Sequence, residues 1–209
     1  TRPSLVCVEN THMAASGAPW HPDDLAAVSR AAGDLPVYMD GARLFNAEVA
    51  TGITASALCS EMTAVMCCMS KGLCAPVGSL LAGDADMITE ARVHRHRLGG
   101  AMRQAGIIAA AGLVALAEMI ERLADDHRRA QRLATAVAEH WPDAGCVPEM
   151  VRTNIVVFSH SDPQKLMSHL YLNGVLAGTI APDVVRLVTH SDVDDEGTEK
   201  ALKALETAP

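Results

Sequence analysis

The sequence predicts an α/β fold in which a larger domain with a parallel sheet precedes a smaller α+β domain. Short apolar runs alternate with helical patterns over roughly the first 140 residues, which is the order of strands and crossover helices in a parallel sheet. From about Gly145 the pattern changes to shorter strands and amphipathic helices. The chain has 209 residues, of which 49% are hydrophobic, enough for a sizeable buried core. We therefore expect two domains, residues 1–142 and 143–209.

The strands and helices follow from these patterns. In the first domain we expect strands near 5–8, 37–40, 63–69 and 77–82, and helices near 22–32, 85–97, 102–122 and 125–140. Residues 105–116 are rich in alanine and glycine, so this helix can approach its neighbours closely, and we expect it to be buried. In the second domain we expect strands near 153–159, 175–177 and 185–189, and helices near 162–172 and 194–206.

Lys71 is the first candidate for a catalytic residue. It lies among small residues, directly after the apolar run that ends at Met69. A lysine in such a place can be desolvated and act as an amine nucleophile, which is what Schiff-base chemistry with an aldehyde cofactor requires. The alternative is an ordinary turn with a solvated amine.

A second candidate group follows the strand predicted at residues 37–40. Asp40 stands at the carboxyl end of that strand and Arg43 follows three residues later. Ligands of open α/β sheets bind at this edge. The carboxylate could hold a protonated ring nitrogen of a cofactor, and the guanidinium could bind a substrate carboxylate. The alternative is a helix N-cap aspartate beside a surface arginine.

Five blocks in order show a resemblance to a known family. They are Val8–His12, Asp40–Ala47, Ser70–Ser79, Gly99–Gly106 and Val185–His190. Together they resemble the low-specificity L-threonine aldolases, which are pyridoxal-phosphate (PLP) enzymes of the aspartate-aminotransferase fold, or fold type I. The match runs almost the whole length of the chain.

The resemblance implies roles for six residues. Lys71 corresponds to the Schiff-base lysine and Asp40 to the partner of the pyridine nitrogen. Arg43 and Arg186 correspond to the pair that binds the substrate carboxylate. Arg103 would lie near the cofactor phosphate, in the site of a neighbouring subunit, and His12 would line the substrate site. The implied reaction cleaves L-threonine or L-allo-threonine to glycine and acetaldehyde, in a homo-oligomer that is a tetramer in the family.

The chain also departs from the family pattern. The family carries an N-terminal portion before the first strand, which holds the cofactor phosphate and stacks on its ring, whereas this sequence opens at Thr1 directly before that strand. Tyr38 stands where the family commonly has histidine. Before the glycine block, where the family usually has lysine, this chain has Arg95, His96 and Arg97. We therefore expect weaker cofactor binding unless another polypeptide supplies the missing groups.

Composition excludes several classes of protein. A formal charge of −8 argues against nucleic acid as the main partner, and no apolar run approaches the roughly 20 residues that cross a bilayer. The six cysteines show no metal-type spacing, so we expect reduced thiols, a cytoplasmic location and no bound metal. Two alternatives stay open beside the aldolase: another PLP lyase or aminotransferase of this fold, or a non-catalytic fragment of such an enzyme.

Overall fold

The computed structural model describes residues 2–209, and these divide into two compact units. The first unit contains residues 2–11 and 20–121, and the second contains residues 12–19 and 122–209. Residues 122–142 thus belong to the second unit by their contacts. The division into domains at residue 142 stays a prediction.

The described part of the first unit contains four strands and five helices. In chain order they are β1 (Val6–Glu9), α1 (Pro22–Ala32), β2 (Val37–Gly41), α2 (Leu44–Thr51), α3 (Ala55–Leu58), β3 (Ala64–Cys68), β4 (Ser79–Gly83), α4 (Ala85–Arg97) and α5 (Gly106–Glu118).

Helix α1 shows how the local sequence sets an element's ends. Pro22 occupies the first turn, and the Nδ1 atom of His21 accepts a hydrogen bond from the Asp23 amide. Asp23 and Asp24 lie near the positive end of the helix dipole and Arg30 near the negative end. Gly33 then ends the helix with a φ of 60°, a conformation that favours glycine.

The four strands form one sheet in the order β1-β2-β3-β4. Strands β1, β2 and β3 are parallel, so their carboxyl ends meet at one edge. Strand β4 instead runs antiparallel to β3. The predicted parallel sheet is therefore confirmed for three strands and wrong for the fourth, because a short connection such as residues 69–78 leads naturally to an antiparallel neighbour.

The two faces of this sheet differ in burial. On one face Val8, Met39 and Val65 pack with Leu25 of α1 and with buried side chains of α2 and α3. On the opposite face Tyr38 and Asp40 are half-buried, and every residue of β4 is exposed. The unit therefore has a core on one side of its sheet alone.

The second unit contains three strands and three α-helices, besides three short 3-10 helices. They are α6 (Leu123–His140), β5 (Ile155–Ser159), α7 (Pro163–Leu172), β6 (Gly178–Ala181), β7 (Val184–Val188) and α8 (Asp195–Glu206). The strands form an antiparallel sheet in the order β5-β7-β6.

One contiguous core fills the second unit. Phe158, Val156 and Val185 on the sheet are at most 2% exposed, as are Leu166 and Leu170 of α7. Apolar faces of α6 and α8 close the same cluster. Strands β5 and β7 therefore alternate between core-facing and outward-facing side chains, which leaves Arg186 half-buried on the outward face.

Most predicted elements exist, with three corrections. The helix expected at 102–122 is shorter, and it is largely exposed rather than buried. The strand expected at 175–177 is wrong, since β6 begins at Gly178. Helices α2 and α3 were not predicted. None of the described helices has both the length and the apolar character needed to span a bilayer.

Candidate active site

The polar residues of the first unit gather where its parallel strands end. Glu9 of β1 is paired with Asp40 of β2, and Asp40 with Met66 of β3. The Asn10 amide donates a 2.9 Å hydrogen bond to the Asp40 carbonyl, which continues the pairing past the end of β1. Asn10 and Asp40 therefore lie at one edge, where Lys71 follows three residues after the end of β3.

Asp40 is held at this edge by its neighbours in β2. Its Oδ1 atom accepts a 3.0 Å hydrogen bond from the Ala42 amide, which fixes the carboxylate as the chain turns toward α2. A Cβ atom on Gly41 would lie 2.6 Å from the Met66 carbonyl, so β2 and β3 can approach this closely because residue 41 is glycine. Burial raises the pKa of Tyr38, and the nearby Asp40 carboxylate raises it further.

Lys71 lies in a turn that its backbone hydrogen bonds define. The Met69 amide donates to the Gly78 carbonyl, the Ala75 amide to the Met69 carbonyl, and the Cys74 amide to the Lys71 carbonyl. Leu73 is 3% exposed and anchors the turn to the protein interior. The Lys71 side chain is exposed, so its amine is solvated in the chain by itself. Its role as the Schiff-base lysine stays a prediction.

The two other predicted residues of the first unit differ in their surroundings. Arg43 is half-buried at the N-cap of α2 and lies three residues after Asp40. Arg103 is exposed in the turn that precedes α5. Of the four predicted site residues of this unit, Asp40, Arg43 and Lys71 lie at or near the ends of strands β2 and β3. The fourth, Arg103, lies apart from them in sequence and is exposed.

Two buried donors at the same edge were missed by the sequence reasoning. Trp20 orients Asn10 by donating its backbone amide to Oδ1 at 3.3 Å, and the Trp20 ring nitrogen donates to the Glu9 carbonyl. Asn10 Nδ2 and Thr11 Oγ1 are buried and have no partner in the described part of the chain. An unsatisfied buried polar group costs about 1–3 kcal/mol, so both atoms are suited to a ligand that brings acceptors. Their position after a strand in the Val8–His12 block was the available signal.

The second unit contains His12 and Arg186. The exposed His12 opens a loop that its amide closes on the Ala18 carbonyl at 2.9 Å. Within this loop Ser16 Oγ accepts a hydrogen bond from the Val157 amide, and Val157 is the cross-strand neighbour of Arg186. The loop after His12 and the Arg186 strand therefore adjoin the same strand, β5.

Arg186 has the surroundings expected of an anion-binding arginine. On its other side it is paired with Gly178, where an added Cβ would meet no atom within 4 Å. Among residues 2–209 its guanidinium forms no ion pair or hydrogen bond. Asn154 is different, because its buried amide donates to the Thr189 carbonyl at 2.9 Å, which favours a structural role.

Comparison with known proteins identifies the class of protein that this arrangement belongs to. A family model described as beta-eliminating lyase matches residues 1–162. The chain belongs to this family.

Several of the named relatives are threonine aldolases. Low-specificity L-threonine aldolase 1 of Arabidopsis thaliana is 32% identical over 212 residues, which cover 98% of this chain and 59% of that protein. The low specificity L-threonine aldolase of Escherichia coli O157:H7 is 38% identical over 197 residues, covering 93% and 57%. The chain spans little more than half the length of these relatives.

Solved structures confirm the predicted fold. A putative L-allo-threonine aldolase from Listeria monocytogenes superposes with a TM-score of 0.78 at 20% identity, over 99% of this chain and 62% of that one. A serine palmitoyltransferase from Sphingomonas wittichii gives a TM-score of 0.74 at 19% identity, over 97% and 54%. The fold is that of the fold type I enzymes, the class that the sequence resemblance associates with PLP.

The residues at the sheet edge fit this cofactor in their chemistry. PLP needs an amine for its aldehyde, an anion for its protonated ring nitrogen and donors for its phenolic oxygen. Lys71, Asp40 and the two unpartnered donors Asn10 Nδ2 and Thr11 Oγ1 supply these three kinds of group. Residues 2–209 contain no cluster of three side chains suited to a metal ion.

Proposed function

We propose that this protein is a PLP-dependent aldehyde-lyase that cleaves L-threonine and L-allo-threonine to glycine and acetaldehyde. The observation that carries the proposal is that Asn10, Asp40 and Lys71 lie at, or within three residues of, the carboxyl ends of three adjacent parallel strands. The similarity to threonine aldolases over 93–98% of the chain supports the choice of reaction.

Four residues of the first unit would hold the cofactor. The Lys71 amine would attach to the aldehyde carbon, and Asp40 would keep the ring nitrogen protonated by pairing with it. Asn10 would donate a hydrogen bond to the phenolic oxygen, and Arg103 would bind the phosphate in a neighbouring subunit. When bound, the cofactor would supply an electron sink for the charge that develops at Cα as a bond to that carbon breaks.

The substrate would be held through its carboxylate. Arg43 and Arg186 would bind the two carboxylate oxygens, since a guanidinium matches that geometry with two parallel N–H groups. Holding the carboxylate restricts rotation about the Cα bonds, so one of these bonds can be presented for cleavage. His12 would line the substrate site. The open space beside Arg186, next to Gly178, supports its part in this scheme.

Assembly and location belong to the same proposal. We expect a homo-oligomer, a tetramer if the chain follows the resemblance. The cytoplasm suits the six free cysteines, because reduced thiols persist in that compartment.

The cofactor site is tested by a visible-absorption titration of the purified chain with PLP. Borohydride reduction and peptide mapping then locate the labelled amine. The expected label is on Lys71, and Lys71→Arg should lose it, whereas the matched variant Lys200→Arg, at another exposed lysine, should keep it. Label spread over surface lysines in the unmodified chain would contradict the proposed site and favour a non-catalytic role.

The reaction is tested on the same preparation. Acetaldehyde released from L-threonine is measured by coupled reduction, and glycine is measured separately. Equal amounts of the two products are expected, and the activity should disappear in Asp40→Ala because the ring nitrogen then lacks its partner. If the cofactor attaches to Lys71 but no acetaldehyde is released, the proposed cofactor site is supported and the proposed aldolase activity is contradicted.

A second candidate activity is racemisation or β-elimination. One relative, named alanine racemase TOXG of Cochliobolus carbonum, is 34% identical over 211 residues, which cover 95% of this chain and 52% of that protein. The same lysine and aspartate would serve either reaction. Formation of D-alanine from L-alanine, or of pyruvate from L-serine, at a rate above threonine cleavage would favour this candidate.

A further inference from the structure

Trp20 forms two hydrogen bonds with the end of strand β1. Its ring nitrogen Nε1 donates to the Glu9 carbonyl at 3.0 Å, and its backbone amide donates to Asn10 Oδ1 at 3.3 Å. Glu9 is the last residue of β1 and Asn10 the first residue beyond it. Trp20 therefore holds both the end of the strand and the buried side chain that follows it.

The direction of the Glu9 carbonyl follows from the pairing of β1 with β2. Successive residues of a strand direct their backbone groups to opposite sides, and the amides of Val6 and Asn10 both donate towards β2. Glu9 therefore directs its carbonyl to the other side of β1, which is the outermost strand of the described sheet. The indole of Trp20 donates to a carbonyl that no strand of this sheet pairs with.

The contact with Trp20 also determines how the Asn10 amide is oriented. A backbone amide can only donate a hydrogen bond, so the Asn10 atom that faces it must be the oxygen. Asn10 is 0% exposed, and its other atom, Nδ2, has no partner among residues 2–209. Asn10 therefore offers a buried donor, and the ligand atom that meets it must be an acceptor.

Trp20 is itself held in place by its surroundings. Its ring packs against the buried cluster that includes Met39 of β2 and Leu25 of α1. The next residue, His21, is the N-cap of α1, and its carbonyl accepts a 3.2 Å hydrogen bond from the Leu25 amide. The backbone at residue 20 is thus fixed by the core of the first unit and by the start of a helix.

We propose that Trp20 is a positioning residue for the cofactor site, because it holds Asn10 with Nδ2 available to the phenolic oxygen of PLP. This role rests on the proposed function, in which Asn10 donates to that oxygen. An amide released from Trp20 could rotate and present its own oxygen, which would repel a negatively charged phenolic oxygen. Trp20 acts through Asn10 and is not itself a catalytic residue.

The two hydrogen bonds are tested by NMR without cofactor. The chain has two tryptophans, so an isotope-labelled preparation gives two ring N–H signals, and Trp141→Phe identifies the signal of Trp20. The Trp20 ring proton should exchange with solvent at least about 10-fold more slowly than that of free indole. The side-chain amide signal of Asn10, identified by its loss in Asn10→Ala, should shift in Trp20→Phe and not in Trp141→Phe. A fast-exchanging Trp20 proton, or an Asn10 signal indifferent to Trp20→Phe, would overturn the proposal.

The effect on the cofactor site is measured as PLP affinity in a double-mutant cycle. Trp20→Phe should weaken PLP binding by about 5-fold, because it removes one hydrogen bond and keeps an aromatic ring in the core. The matched variant Trp141→Phe should leave the affinity unchanged. In an Asn10→Ala background Trp20→Phe should have no further effect, since Trp20 acts through Asn10. Equal losses in both backgrounds would mean that Trp20 has only a structural role.

The visible absorption of bound PLP separates positioning from a general loss of structure. A donor favours the ionised phenolic oxygen, so the midpoint of the absorption change with pH should rise in Trp20→Phe, as in Asn10→Ala. If Trp20→Phe binds PLP with an unchanged midpoint, the role of Trp20 is contradicted and the proposed function stands. If the unmodified chain binds no PLP, the proposed function fails together with the cofactor role, and proton exchange still decides whether Trp20 holds Asn10.

Discussion

The two units bury their apolar residues to different extents. The second unit, although shorter, has a core cluster of sixteen buried residues, whereas the cluster of the first has seven. Ten of the fifteen large apolar side chains that are exposed belong to the first unit, including Leu80 and Leu81 of β4. The second unit therefore buries most of its large apolar side chains, while the first leaves more of them exposed.

This difference follows from how each sheet is covered. The antiparallel sheet of the second unit places Val185 and Leu187 against α6 and α8, so a single layer of helices completes its core. The sheet of the first unit has α1, α2 and α3 on one face, and Asp40 lies on the other. The face without a core is thus the face that carries Asp40, a candidate cofactor-binding group that has to remain accessible to ligands.

The largest expected effect is on the core of the second unit. Phe158 is 2% exposed and stacks on Trp141 at a centroid distance of 5.6 Å. Phe158→Ala should lower the free energy of unfolding by about 4 kcal/mol, because it removes a large side chain from a packed cluster. Urea unfolding is monitored by far-ultraviolet circular dichroism, which reports on the helices of both units. Leu81→Ala in the first unit changes a side chain that is 44% exposed, and it should lower the free energy of unfolding by less than about 1 kcal/mol. Similar losses for the two variants would contradict the difference in burial between the two units.

A pH-dependent effect should follow in the second unit. Burial lowers the pKa of His127 from 6.5 to about 4. Between these values the unfolded chain binds a proton that the folded chain does not, so stability should fall as the pH drops from 6.5 toward 4, by about 3 kcal/mol from this group. His127→Gln should show a correspondingly smaller loss over that range.

The control for His127 is the exposed His190. His190→Gln should keep the pH dependence of the unmodified chain, because the carboxylates that titrate in the same range are common to all three proteins. An unchanged slope in His127→Gln would show that His127 is accessible to protons in the folded state.

Asp126 tests how much a buried charge contributes to the stability of the second unit. It is fully buried, receives a hydrogen bond from Arg122, and leaves Oδ2 without a partner in the described chain. Asp126→Asn should cost about 2 kcal/mol, since it breaks a buried ion pair while keeping the shape. The neighbour Asp125, whose pKa is lowered by its hydrogen bond to Arg128, is half-exposed and serves as control. Chemical denaturation of Asp125→Asn should show a smaller loss.

The smallest effect is expected at the surface of the same unit. Arg132 of α6 pairs with Glu199 of α8, and both side chains are more than a third exposed. Glu199→Ala should change the free energy of unfolding by at most about 1 kcal/mol, and the change should shrink in high salt. A larger loss, insensitive to salt, would mean that the two helices depend on their ion pairs more than on the core between them.

The sequence patterns predicted the positions of the strands and helices better than the direction of the strands or the burial of the helices. The strands at 37–40 and 63–69 and the helices at 22–32 and 85–97 were placed within about two residues, because apolar runs and capping residues are local signals. The direction of β4 was missed, since an apolar run has no orientation. The strand near 175–177 was misplaced because β6 begins with Gly178 and Thr179, which continue no apolar pattern.

The candidate site was anticipated in part. Asp40, Arg43 and Lys71 stand at or shortly after the ends of predicted strands, so the end of the sheet at which they lie could be predicted from the sequence. The buried amide of Asn10 was not, because its lack of a partner is a property of the assembled sheet and of its bond with Trp20. Exposure of α5 was also missed, because a segment rich in alanine and glycine permits close packing but does not show which of its faces is buried.

The loop at residues 12–19 has a consequence for the order of events during synthesis. Its hydrogen bonds, from Thr153 to Gly17 and from Val157 to Ser16, join residues 136 and 141 positions apart. At about 5–20 residues per second a ribosome needs roughly 7 to 28 s to add that much chain. The loop that carries His12 is therefore synthesised long before β5, with which it forms these hydrogen bonds. The part of the proposed substrate site that contains His12 can form only after β5 has been synthesised.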